Sequence, residues 1–109
     1  MSTHAVPGFR LLVDRTSDGE PLILVAGELD IATRVELEQT LTLLATGTSD
    51  RIVVDMADVS FIDSSGISAL LAAHRQGAGI MVRSASPAVQ SILEVVGVRG
   101  ILEAAPPPT

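Results

Sequence analysis

The sequence predicts an α/β fold: a mixed sheet of four to five strands with helices packed against it. Three observations carry this expectation. Short apolar runs of strand length alternate with segments whose apolar residues recur at helical spacing. The first two strand-like runs are separated by a turn rather than a helix, so they pair as a hairpin. The chain has 109 residues, 47% of them hydrophobic, which is enough for one core and one domain, with two layers the expected arrangement.

Gly8 to Arg15 reads as the first strand, with Phe9, Leu11 and Val13 on one face. Ser17-Asp18-Gly19 supplies the turn, because Asp and Gly tolerate the backbone angles it needs. Pro21 to Ala26 is the second strand, and its unbroken apolar run predicts burial on both faces. Asp30 is the N-cap candidate for a helix from about Ile31 to Ala45, with Val35, Leu37, Leu41 and Leu44 as the apolar stripe. Arg34, Glu36 and Glu38 face water in that helix, and Gly47 ends it.

Arg51 to Met56 is the third strand. A polar loop with Ser60, Asp63, Ser64, Ser65 and Gly66 then leads into a second helix, about Ser65 to Gln76, where Ile67, Leu70, Leu71 and His74 recur at helical intervals and Gly77 and Gly79 make the stop. Ile80 to Ser84 is the fourth strand. Ser86-Pro87 opens a third helix, with Val89, Ile92, Leu93 and Val96 as its stripe and Gly97 as its end. Ile101-Leu102-Glu103 is a candidate edge strand, and residues 104–109, with Pro106-Pro107-Pro108, read as a flexible Pro-rich tail that cannot enter a sheet interior. The expected organisation is one domain over 1–109 with its core at about 8–103.

Composition excludes several functions. Two Phe, no Tyr and no Trp make the core aliphatic and leave stacking platforms for bases nearly absent. The net charge is −6 and all seven basic residues are scattered Arg, so a phosphate backbone is repelled and no nucleic-acid partner is expected. The absence of Cys removes disulfides, thiol nucleophiles and Cys-type zinc sites. The N-terminus lacks a basic, apolar signal pattern, and the longest apolar run, Leu22 to Ala26, is far short of the roughly 20 residues that span a bilayer. The expectation is a soluble cytoplasmic protein with no membrane partner.

The densest polar cluster, Asp55 to Gly66, joins a buried strand to an amphipathic helix. It supports two readings. In the structural one, Asp63 or Ser64 caps the helix, Ser65 sits in its first turn, and Gly66 lets helix and strand pack closely. In the functional one, a hydroxyl stands where unpaired N–H groups and the positive helix end tolerate a phosphate. Composition alone favours the structural reading. No catalytic residues are expected, since Ile62 and Asp63 replace the residues of a nucleophile elbow before Ser64. Of the two possible bases, His4 lies in a loose N-terminus and His74 about 15 Å along the helix from Ser64 at 1.5 Å per residue. Asp30, Asp55, Asp58 and Asp63 lack the spacing of a calcium loop, so no metal is expected. A phosphate-cradling loop with Lys is absent, and no cofactor is expected.

The stretch from Val53-Val54-Asp55 through Phe61-Ile62-Asp63-Ser64-Ser65-Gly66-Ile67 resembles the signature of STAS domains, specifically bacterial anti-sigma factor antagonists. Gly27-Glu28-Leu29-Asp30 is similar to a second landmark of that family, a turn after the second strand, and Ser84-Ala85-Ser86-Pro87-Ala88-Val89 to the start of its last long helix. The three together cover about Gly8 to Glu103 in the family's order. The resemblance implies a single STAS domain whose phosphoacceptor is Ser64, with Ser65 as the fallback. It implies a partner serine kinase, itself the anti-sigma factor, which binds the unphosphorylated protein and releases the sigma factor, and a serine phosphatase that resets the switch. It places Gly27, Glu28, Asp30, Asp63, Ser65 and Gly66 at the partner-binding surface. The alternatives are a STAS interaction subunit that is never phosphorylated, as in lipid-transport or stress-signalling assemblies, and a small-ligand sensor using a pocket near the loop.

Overall fold

Aliphatic residues at alternate positions build one mixed sheet. The computed structural model describes residues 3–6, 8–45, 51–77, 79–95 and 103–105. Its elements are β1 (Thr3–Val6), β2 (Phe9–Arg15), β3 (Pro21–Leu29), α1 (Arg34–Ala45), β4 (Arg51–Ile62), α2 (Ser64–Arg75), β5 (Gly79–Arg83), α3 (Pro87–Val95) and β6 (Glu103–Ala105). The strands lie in sequence order. β1, β2 and β3 pair antiparallel, whereas β3, β4, β5 and β6 pair parallel.

Every crossover steps the same way along the sheet. Right-handed connections therefore put α1, α2 and α3 on one face. The core agrees: Leu11, Ile23, Val25, Val54, Met56 and Val82 from the sheet meet Leu37 and Leu41 of α1, Ile67 and Leu70 of α2, and Val89 and Leu93 of α3. The other face carries Leu24, half-buried, and an ion pair in which Arg83 Nε and Nη2 each lie 3.1 Å from Asp55 Oδ2. The two-sided burial expected of the second strand is thus complete on the helix side only. Among the described residues no helix is long and apolar enough to cross a membrane.

The sheet has six strands rather than four to five. Thr3–Val6 pairs with Phe9–Leu12, so the N-terminal segment that holds His4 is a strand rather than loose chain. β3 continues to Leu29 and β4 to Ile62, past the expected ends at Ala26 and Met56. The two pair in parallel over this extension with register shifts between Leu24 and Ala26 and between Gly27 and Glu28. Such bulges let a strand run on where its alternation breaks. Val59 and Ile62 stay buried while Ala57, Asp58, Ser60 and Phe61 face out, a pattern that reads as loop in sequence.

Smaller differences lie at the ends of elements. Residues 31–33 form a turn and α1 begins at Arg34; Val35 of the expected stripe is exposed. α2 begins at Ser64, and Gly77 at φ 99° ends it, while Gly79 opens β5. His74 is exposed. Ser86 caps α3 as expected: its Oγ accepts from Val89 N–H at 3.3 Å and donates to Val59 O at 2.7 Å. Edge pairing takes Ala104 and Ala105 from the expected tail into β6. Gly47, Val96, Gly97, Gly100, Ile101, Leu102 and Pro106 to Pro108 lie outside the described residues.

Candidate functional site

β3 and β4 end side by side. Gly27 pairs with Val59, Glu28 with Phe61 and Leu29 with Ile62. Their continuations, Asp30 and Asp63, both turn into helices, and the last two carbonyls of β3 anchor both starts. Thr33 Oγ1 donates to Glu28 O at 2.8 Å, and Asp63 N–H donates to Leu29 O at 3.3 Å. Two helix N-termini with exposed polar groups therefore share one edge of the sheet.

At the first start, Asp30 Oδ1 accepts from Ala32 N–H at 2.9 Å and Thr33 N–H at 3.0 Å, while Asp30 N–H donates to Thr33 Oγ1 at 2.9 Å. This is the reciprocal geometry of a capping box with Thr in place of Glu or Gln. The bond from Thr33 N–H has the largest effect and holds the Asp30 carboxyl below its ordinary range; desolvation opposes it, and the weaker effect of the Ala32 N–H bond adds to it. Sequence reasoning missed Thr33, although its place three residues after Asp30 was the available signal.

At the second start, Asp63 caps α2 from an extended backbone, its Oδ1 accepting from Ser65 N–H at 2.9 Å and Gly66 N–H at 3.3 Å. Of the two expected caps it is Asp63, and this leaves Ser64 with no capping duty. Ser64 stands exposed at the first helical position, its side chain with no hydrogen-bond partner among the described residues. Ser65 is half-buried beside it. Gly66 is buried, and a Cβ there would lie 2.8 Å from Leu29 Cγ and 2.9 Å from Ile62 Cγ1. The helix start thus presses onto the strand ends, which is what the sequence predicted of this glycine.

Gly27 has a different role. At φ 92° it crosses the carbonyl of Gly8, and a Cβ would come within 2.7 Å of the Gly8 carbonyl carbon. The close approach lets Glu28 N–H donate to Gly8 O at 2.7 Å and leaves the Glu28 side chain exposed at the edge. An open recess of about 420 Å³ beside it is lined by Gly8, Arg10, Gly27, Glu28 and Ser60, among others.

The edge therefore gathers Gly27, Glu28, Asp30, Asp63, Ser64, Ser65 and Gly66. Asp55 is not part of it, being paired with Arg83 further back. Among the described residues no three His, Asp or Glu side chains converge to hold a metal ion. His74 sits in the last turn of α2, at the opposite end from Ser64. The site offers an exposed hydroxyl, the carboxylates of Glu28, Asp30 and Asp63 at the same strand ends, and a preformed helix start. Among the described residues it brings no histidine to that hydroxyl.

The chain matches the family model described as "Mlab, STAS domain" over residues 12–103. It is 27% identical over 84 residues to the anti-sigma-B factor antagonist of Staphylococcus aureus, a match covering 73% of this chain and 78% of that one. The structure superposes on that of an anti-sigma factor antagonist from Mycobacterium paratuberculosis with a TM-score of 0.80 at 26% identity, covering 96% of this chain and 90% of the other. The anti-sigma factor antagonist SpoIIAA in its unphosphorylated form shares the fold, with a TM-score of 0.74 at 19% identity over 90% of this chain and 88% of that one.

Proposed function

Because the chain belongs to the STAS domain family, we propose that it is an anti-sigma factor antagonist switched by phosphorylation of Ser64. In this reading the unphosphorylated protein binds an anti-sigma factor that is a serine kinase, and the sigma factor is released. The kinase transfers phosphate to Ser64, which ends binding, and a serine phosphatase restores the hydroxyl. The chain is the kinase's substrate and brings no catalytic group.

The observation that carries this reading is the division of labour at α2. Asp63 takes the capping bonds, so the adjacent Ser64 hydroxyl is presented outward and unspent. Glu28, Asp30 and Asp63 share its edge. A phosphate adds about −1.5 to −2 charge at pH 7. A partner fitted to the neutral hydroxyl then meets repulsion and an unpaired desolvated charge, which can cost several kcal/mol. Gly66 and Gly27 act through the backbone, by allowing the close approaches that set this edge, and Ser65 flanks the acceptor.

The test is to treat the protein with a purified anti-sigma factor kinase of the source organism and ATP, then map the phosphopeptide. Phosphate on Ser64, absent from Ser64→Ala, is expected; phosphate on Ser65 alone would move the acceptor by one residue. The second reading is a STAS interaction subunit that is never phosphorylated; a STAS domain is common to both readings. An unchanged intact mass with every candidate kinase, together with stable co-purification in a larger assembly, decides for it.

A further inference from the structure

Large hydrophobic side chains exposed among the described residues are Ile31 at 69%, Val35 at 46%, Leu43 at 73% and Phe61 at 47%. Scattered exposed hydrophobics need no explanation, but an aligned set does. Ile31, Val35 and Leu43 fall on one line: positions 31, 35, 39 and 43 step by four, and Gln39 between them is also exposed. The bond from Arg34 N–H to Asp30 O, 2.8 Å, carries the helical pattern back through the turn, so Ile31 continues the row. A row of this spacing is a ridge of the kind that inserts between the side chains of another helix. The inner side of α1 buries Leu37, Thr40 and Leu41, so the ridge has no part in the core.

Position and charge decide what covers it. Ile31 follows the end of β3, Phe61 pairs with Glu28, and Ser64 begins α2 at the same edge. The ridge therefore leads directly away from the candidate phosphoacceptor. Five carboxylates, Glu28, Asp30, Glu36, Glu38 and Asp63, stand along this route against two guanidiniums, Arg34, which pairs with Glu38 at 3.2 Å, and Arg10, which lines the recess beside Glu28. The balance is −3 in a chain of net charge −6. A second copy would bring the same charge to the same ridge, and anionic lipid would be repelled as well. The surface that fits is a protein with an apolar groove and a basic rim.

We propose that the Ile31–Val35–Leu43 ridge is the docking surface for the anti-sigma factor kinase, holding that partner while Ser64 is presented to it. The proposal rests on the antagonist reading above. It divides the interface in two. The ridge supplies affinity; the hydroxyl supplies the switch, because a kinase sets its nucleotide phosphates against the acceptor and a phosphate already on Ser64 meets them with like charge. Removing the ridge therefore weakens capture without altering the transfer step.

The experiment uses the full chain with a purified anti-sigma factor kinase of the source organism as probe. Parent, Val35→Glu, the pair Ile31→Ser with Leu43→Ser, and Ser64→Ala are compared by calorimetry and by steady-state phosphorylation. Both ridge variants are expected to bind at least about tenfold more weakly, a loss of 1.4 kcal/mol. Their KM rises by a similar factor with kcat within about twofold, and their Tm stays at the parent's because the positions are exposed. Ser64→Ala accepts no phosphate, which separates loss of the acceptor from loss of capture. Ridge variants that bind and react like the parent overturn the ridge and leave the antagonist reading standing. A parent that no such kinase binds overturns both. A parent that dimerises in sedimentation and becomes monomeric on Val35→Glu assigns the ridge to a second copy and overturns the proposal too.

Discussion

Two helix starts at one sheet edge use the same cap and do different things with it. Asp30 closes a reciprocal box with Thr33, and the residues it orders, Ile31 and Ala32, are exposed and apolar, with no group that could accept a phosphate. Asp63 makes a one-sided cap, and the residue that follows is a serine with an exposed hydroxyl. The α1 start is separated from the strands by a turn, whereas the α2 start presses onto Leu29 and Ile62 through Gly66. An identical carboxylate therefore serves stability at one start and presentation at the other. What differs is the side chain next to it and how closely the helix approaches the sheet.

The largest effect that sharpens this contrast is expected at Gly66. A β-branched side chain there must displace Leu29 and Ile62, both buried at the strand ends. Gly66→Val is expected to cost about 3 kcal/mol, the upper range for overpacking a core, and to lower Tm by on the order of 15 °C in a domain of this size. Gly66→Ala is expected to cost less, and Leu29→Ala to recover part of that loss in a double-mutant cycle. A Gly66→Val melting curve that overlays the parent's would remove the close-approach argument.

Next comes Asp30. Its depressed carboxyl follows chiefly from the Thr33 N–H bond in the folded chain. A carboxyl with a lowered folded pKa contributes stability above its unfolded pKa, about 3.9. That contribution is lost as pH falls through the folded value. The Tm gap between parent and Asp30→Asn is therefore expected to be open at pH 6 and to close progressively below about pH 4. A gap that stays constant down to pH 2 would mean that the ionised form of the carboxyl is not what the folded chain favours.

Asp63→Ala is expected to cost about 1 kcal/mol, the ordinary value for losing an N-cap. The loss should fall below that of Asp30→Ala in side-by-side melts, because Asp63 makes two capping bonds and no reciprocal box. A larger loss at Asp63 reverses the contrast between the starts.

How much of this was legible in the sequence follows from the range of each signal. Caps, turns and stripes are local, so Asp30, Asp63, Gly66 and the Ser86-Pro87 start could all be placed from their neighbours, and the helix-on-sheet class followed. The long ends of β3 and β4 were not legible. Ala57, Asp58, Ser60 and Phe61 break alternation, and only the bulged pairing with Ala26 to Leu29 makes them strand. β1 escaped for the same reason, since Thr3–Val6 is a strand by virtue of its pairing with β2. The four-residue spacing of Val35 fits two faces of a helix equally well, and only the position of the sheet chooses between them. The site was legible as a cluster of residues, but not the division of capping from presentation, which depends on which of two adjacent oxygens reaches the N–H groups.

The smallest stability effect is expected at Ser64 itself. Its side chain makes no bond that folding depends on, since the capping N–H groups belong to Asp63. Ser64→Ala is therefore expected to change stability by less than about 0.5 kcal/mol, as for a surface substitution away from any special feature. Phosphorylated protein is expected to keep its fold as well. The added charge lies at a helix N-terminus, where the dipole offsets part of the repulsion from Asp63 by about 0.3–1 kcal/mol. The two helix starts share β3 carbonyls, so the perturbation has a defined path: from Asp63 through Leu29 to Glu28 and Thr33. Backbone amide NMR shifts on phosphorylation are expected to be largest at residues 63–66, smaller at 28–33, and absent over Pro87–Leu93, because α3 is tied to β4 through Ser86 at Met56 and Val59 and, among the described residues, shares no bond with either helix start. Shifts spread through α3 would show that the phosphate repacks the domain. Shifts that stop at residue 66 would show that the two starts, though anchored to one strand end, are not coupled.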